Sequence, residues 1–98
     1  PKWIIGYSDV TVLHSHLHQL GITSLHATMP INFEKNTPKA LESLKSALFG
    51  LGNLTEINHH HFNRFGKVEG EIVGGNLSIL YSLLGSDSDI NTEGKILF

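Results

Sequence analysis

Trp3-Ile4-Ile5-Gly6-Tyr7-Ser8-Asp9-Val10-Thr11 is the stretch from which the rest of this chain can be read. Trp3, Ile4 and Ile5 form a β-prone apolar run too short for a helix, so a short buried strand is expected. Gly6 punctuates it. Val10, Leu13, Leu17 and Leu20 then recur at helical spacing, with Ser8 and Asp9 as N-cap types and Gly21 at the C-cap position. A serine at such a strand-to-helix corner lifts its hydroxyl out of the sheet. The helix start behind it offers unpaired N–H groups and partial positive charge to a developing oxyanion. That is the physics of a nucleophile elbow, with Ser8 as nucleophile and the Asp9 backbone N–H in the oxyanion hole. Val10 stands where the usual Gly-x-Ser-x-Gly pattern has its second glycine. The plainer alternative is a serine that caps a helix in a non-enzymatic α/β interaction module.

Working outward, Ile22 to Ala27 reads as a second strand, so the chain opens with a parallel strand–helix–strand unit. Thr37-Pro38 is a helix start, Ala40, Leu41, Leu44, Ala47 and Leu48 form its stripe, and Gly50 ends it. Thr55 to Phe62 and Lys67 to Val73 read as strands joined by a turn at 63–66. Gly74-Gly75 breaks the second, Asn76 caps a helix carrying Leu77, Leu80, Tyr81 and Leu84, and Lys95 to Phe98 is a last strand. The fold class expected is α/β. Residues 1–54 would close an N-terminal α/β, Rossmann-like domain and 55–98 would open a β-rich one.

The 98 residues are 40% hydrophobic and 16% charged, which suits a globular unit with a modest core. A formal net charge of -2 gives no electrostatic case for nucleic acid or an anionic membrane. The absence of cysteine leaves no disulfide framework and fits a reducing compartment. No apolar run approaches the ~20 residues that span a bilayer, and no signal peptide is visible. The chain starts at Pro1 on a strand without an initiator methionine and stops on an apolar strand at Phe98. An internal piece of a larger protein is therefore expected.

Seven histidines invite a metal reading. His14 and His18 share a helix face without an acidic third ligand, and a solvated polar face opposite the leucines explains them better. His59-His60-His61 would alternate sides in a strand, a poor ligand set. No metal and no cofactor are expected. His26 follows the second strand, near the sheet edge where α/β sites lie, and is placed to line a cleft beside Ser8. Gly74-Gly75-Asn76 is either an anion-binding nest or a tight strand-to-helix turn. Gly6, Tyr7, Gly75 and Asn76 are the candidate substrate-binding residues.

Three stretches resemble one family in register. Gly6-Tyr7-Ser8-Asp9-Val10-Thr11 looks like the nucleophile motif of LD-carboxypeptidases, serine peptidases of the S66 type. Gly74-Gly75-Asn76-Leu77-Ser78-Ile79-Leu80 resembles a second landmark, and Gly94-Lys95-Ile96-Leu97-Phe98 resembles the strand leading to the catalytic glutamate. The resemblance spans nearly the whole chain. It implies an enzyme that removes terminal D-alanine from muropeptide tetrapeptides in the cytoplasm during wall recycling. A related branch cleaves a peptide–nucleotide amide. It also implies a glutamate and a histidine beyond Phe98. At His26-Ala27-Thr28-Met29-Pro30 the chain departs from the family's His-Gly-Pro-like run. The 98 residues alone are expected to be inactive and to self-associate through apolar strands.

Overall fold

The computed structural model describes residues 2–98; Pro1, read above as lying on the first strand, is outside them. Two strand–helix–strand units form the fold. In the first, β1 (Ile5–Gly6) runs parallel to β2 (Leu25–His26), with α1 (Thr11–Gln19) between them. Ile5 lies opposite Leu25 and Gly6 opposite His26. Leu25 N–H donates to the Ile4 carbonyl and Ala27 N–H to the Gly6 carbonyl, both at 3.0 Å. In the second unit β3 (Ile72–Val73) pairs in parallel with β4 (Ile96–Leu97) around α3 (Leu77–Ser82). Helix α2 (Pro38–Leu48) falls between the units in the chain.

Local chemistry explains the helix ends. Thr37 Oγ1 accepts from Ala40 N–H at 3.2 Å, and Pro38 fills the first turn, where no N–H is needed. Asn76 Oδ1 accepts from Ile79 N–H at 3.2 Å and starts α3 in the same way. Gly21 follows α1 in the left-handed region, at φ +69°.

Three expectations are corrected. The second half is not a run of strands. Thr55–Phe62 and 67–70 join no ladder; Ile72–Val73 forms one with Ile96–Leu97, which the Glu71 carbonyl extends by accepting from Ile96 N–H at 2.8 Å, and that ladder is parallel with a helical crossover. Every residue from 49 to 72 is exposed. A strand needs a neighbour for its backbone groups, and here the rings of His59, His60 and His61 pack locally on Phe62 and Phe65 instead. The turn falls at His60–Asn63, closed by Asn63 N–H on the His60 carbonyl at 2.9 Å.

Second, the opening strand is less buried than its composition suggests. Trp3 is 47% exposed, and Gly6 is the buried member. Third, α1 turns its polar side inward. Thr11, His14 and Ser15 are buried, whereas Leu13 is 54% and Leu20 61% exposed. The groups facing that side are the Gly6 carbonyl, the Ser24 hydroxyl and the Asn76 N–H. A threonine–histidine face can bond these and a leucine face cannot.

The units lock together through α1. Helix α1 packs on α3. Asn76 N–H donates to Thr11 Oγ1 at 3.0 Å, and Thr11 is fully buried. Lys95 Nζ lies 2.8 Å from His18 Nε2 and 3.2 Å from Glu71 Oε2. The His26 ring meets Phe98 edge-on at 5.8 Å. Val73, 5% exposed, is the one buried apolar side chain among the described residues. The centre is thus held largely by hydrogen bonds.

Candidate functional site

β1 and β2 end at the same edge because they are parallel, and α/β proteins place ligands beyond such edges. Ser8 follows β1 across Tyr7 and opens a 3₁₀ turn, Ser8–Val10, that runs into α1. Its φ is +57°, the one left-handed value among the described non-glycine residues. A non-glycine side chain held there carries backbone strain that surrounding structure must maintain. Tyr7 itself is extended, at φ -145°, so the chain reverses sharply at the serine. Ser8 is exposed, and no side-chain capping bond is made at the start of the 3₁₀ turn or of α1. Asp9 comes next, in the first turn, where amide N–H groups have no helical partner.

Two contacts hold this turn. A Cβ on Gly6 would stand 2.7 to 2.9 Å from the Val10 side chain, so only glycine lets the turn fold back this tightly. His14, 8% exposed, bridges from α1: Nε2 lies 3.0 Å from the Gly6 carbonyl and Nδ1 2.7 Å from Ser24 Oγ. A carbonyl only accepts, so Nε2 carries a proton, and Nδ1 faces the Ser24 hydroxyl. The bond fixes the backbone just ahead of Ser8.

A cleft of about 430 Å³ opens beside Tyr7, lined by residues from the end of β2 and from the 3₁₀ turn Pro30–Lys35. Asn32 Nδ2 donates to Tyr7 Oη at 2.6 Å. Asn36 Nδ2 donates to Thr28 Oγ1 at 2.9 Å and to the Asn32 carbonyl at 2.6 Å. His26 lines the same cleft. Partial burial holds its pKa below 6.5, and repulsion from a charged His14, 5.9 Å away ring to ring, adds to this. A larger groove of about 490 Å³ continues past His26 along α2.

The structure therefore gathers Gly6, Tyr7, Ser8, Asp9 and His26 at one edge. Gly75 and Asn76 stand on the other side of Thr11. Gly75 N–H donates to the Phe98 carbonyl at 3.0 Å, and a Cβ on Gly75 would stand 2.6 Å from Thr11 Oγ1. Both amide donors of this pair are thus bonded inside the protein, and the Gly-Gly turn exists because Phe98 and α1 press on it from either side. Its φ values, +146° at Gly74 and +139° at Gly75, are glycine-only. The sequence reading put His14 on a solvated face, whereas it is buried, and did not single out Ser24, Asn32, Lys35 and Asn36. A signal for the first was present, since Thr11, His14, Ser15 and His18 share helical spacing. The leucine stripe masked it.

Comparisons with known proteins match two segments of the chain to one family. The model of the LD-carboxypeptidase N-terminal domain matches residues 1–27, and that of the LD-carboxypeptidase C-terminal domain matches 69–98. A "Probable murein peptide carboxypeptidase" of Bacillus subtilis is 40% identical over 111 aligned residues, covering 100% of this chain and 33% of the relative. The "Murein tetrapeptide carboxypeptidase" of Pseudomonas aeruginosa is 29% identical over 108 residues, covering 99% of this chain and 35% of its own length. The chain thus spans about a third of the length of these curated relatives. No solved structure gives a significant match. With one family's two domains matched in order on segments that pack against each other, this chain belongs to the LD-carboxypeptidase family.

Proposed function

We propose that this chain carries the nucleophile of a serine-type LD-carboxypeptidase that releases terminal D-alanine from muropeptide tetrapeptides. The observation that supports this most is Ser8 itself: left-handed φ, an exposed residue, no capping bond at the turn it opens, and a cleft lined by its neighbour Tyr7. A residue used only to cap a helix would sit in extended backbone and accept an N–H. In the proposed reaction Ser8 Oγ attacks the scissile carbonyl carbon. The Asp9 N–H, in the first turn of the helical stretch, holds the oxyanion. The proton from Ser8 passes to a histidine and then to the departing amine of D-alanine, leaving an acyl-enzyme that water hydrolyses. By resemblance, that histidine and its orienting glutamate lie outside these 98 residues. Ser8 attack needs no cofactor.

Further proposals follow from the same reading. The enzyme works in the cytoplasm, and no helix among the described residues is long and apolar enough to cross a membrane. The 98-residue chain alone is inactive for want of a base. It also self-associates, since Phe49, Leu51, Phe62 and Phe65 are each more than 70% exposed.

The test is Ser8→Ala in the full-length protein, with D-alanine release from a murein tetrapeptide as readout. Loss of a triad nucleophile removes on the order of 10⁶ in kcat in subtilisin. The fold, followed by circular dichroism, stays unchanged. Activity above about a hundredth of wild type contradicts the assignment, because a missing nucleophile leaves far less.

A further inference from the structure

We propose that the cleft beside Tyr7 is the subsite for the substrate's terminal carboxylate, and that Lys35 is the residue that binds it. The inference rests on the carboxypeptidase reading above and names the group that confers its exo-specificity.

The cleft is lined by Tyr7, His26, Ala27, Thr28, Asn32, Lys35 and Asn36. Lys35 is its only charged residue, no aspartate or glutamate lines it, and Lys35 has no acidic partner among the described residues. The hydrogen bonds on its walls set the direction of the polar groups. Tyr7 Oη already accepts from Asn32, and Thr28 Oγ1 already accepts from Asn36. Each hydroxyl is therefore left with its hydrogen to donate. Asn36 uses both amide hydrogens inside the wall, on Thr28 and on the Asn32 carbonyl. For an anionic ligand the cleft thus offers the Lys35 ammonium and two O–H donors, beside the His26 ring and the Asn32 and Asn36 amide oxygens. A carboxylate only accepts, on two oxygens with about four lone-pair sites, and matches the ammonium and the two O–H donors.

Position selects which carboxylate. Tyr7, which lines the cleft, precedes Ser8 in the chain, so the cleft lies next to the turn that carries the nucleophile. In a peptide cut before its last residue, the terminal carboxylate lies one residue beyond the scissile carbonyl, a span of about 3.3–3.6 Å. The cleft, about 430 Å³, has ample room for one alanine. The Asn32–Tyr7 bond also ties the turn that presents Lys35 to the turn that presents Ser8. Binding at one is thereby registered to the other.

The experiment uses the full-length protein carrying Ser8→Ala, so that binding is read without turnover. Calorimetry compares a murein tetrapeptide as the free acid with the same peptide ending in D-alaninamide. The free acid is expected to bind about 10- to 100-fold more tightly, as for a hydrogen bond to a charged group. Lys35→Met removes that preference, whereas Lys35→Arg keeps most of it. Equal binding of acid and amide overturns the subsite, and so does a preference that survives Lys35→Met. Lys35 is exposed, so these variants fold as the parent does, which a thermal melt verifies. A wild-type enzyme whose activity survives Ser8→Ala overturns the nucleophile reading instead, and the acid-against-amide comparison still decides the subsite.

Discussion

Replacing Gly6 by alanine tests whether close packing sets the position of Ser8. The φ of Gly6 lies outside the left-handed region, so alanine adopts that backbone freely and the whole effect is steric. The new Cβ would stand 2.7 Å from Val10 Cγ2, 2.8 Å from Cγ1 and 2.9 Å from Cβ. Apolar carbons rest at about 3.5–4.0 Å, so the nearest contact, at 2.7 Å, must open by roughly 0.8–1.3 Å. Val10 is β-branched and at the entry to α1, with little rotamer freedom to move aside. The yielding element is therefore the backbone between them, which is Tyr7, Ser8 and Asp9. Overpacking of this kind costs about 1–3 kcal/mol. A misplacement near 1 Å at a reacting group lowers the rate by about 10²-fold. In the full-length enzyme, Gly6→Ala is expected to lower the urea midpoint and to reduce kcat for D-alanine release by about that factor. Adding Val10→Ala removes both Cγ contacts but leaves Cβ, so it restores part of each loss. If Gly6→Ala keeps kcat within about twofold while the double variant shows no recovery, the Gly6–Val10 contact does not position the serine, given that a real 1 Å shift would have cost far more.

Two further outcomes are expected. Thr11→Val keeps the shape of the residue but takes the acceptor from the part-buried Asn76 N–H, at about 1 kcal/mol, while Thr11→Ser keeps the acceptor and loses less; denaturant midpoints that coincide for Thr11→Val and wild type contradict this. His26 titrates below 6.5 in the folded state for the reasons of desolvation and His14 repulsion, so between its folded value and 6.5 the unfolded chain binds more protons and stability rises with pH. The contribution is present above 6.5 and is lost as pH falls through the folded value, and solvent screening keeps it small. A proton NMR titration of the His26 ring reads it directly: the midpoint moves partway back up in His14→Leu, and a midpoint at or above 6.5 in the wild type rules the assignment out.

What could be read from the sequence was what is decided within a few residues. Thr37-Pro38 and Asn76 start helices because their side chains reach amides three residues on. Gly21, Gly50 and Gly85 end helical segments because each takes a left-handed φ that other residues resist. The unit around Ser8 was legible for the same reason: a short apolar run, a glycine and a helical period lie within one turn of each other. Burial was not legible, because it depends on groups brought in from afar. Thr11 meets Asn76, 65 residues away, and His18 meets Lys95, 77 away, so the polar stripe of α1 gains partners that no local rule announces. The cleft was hidden likewise, since the Asn32–Tyr7 bond joins residues 25 apart.

The Gly74-Gly75-Asn76 motif shows how the two kinds of information combine. As a pattern it signalled the family, and its residues were candidates for touching substrate. In the structure its glycines admit the Phe98 carbonyl on one side and Thr11 on the other, and Asn76 N–H anchors on the first residue of α1. Thr11 is also the residue at which the Ser8–Val10 turn becomes α1. A motif in the segment matched by the family's C-terminal domain thus supports the helix that carries the serine, in the segment matched by its N-terminal domain. Substitutions at Gly75 should then act on catalysis through α1. They would lower kcat and stability together while leaving the discrimination between carboxylate and amide substrates, assigned to Lys35, unchanged.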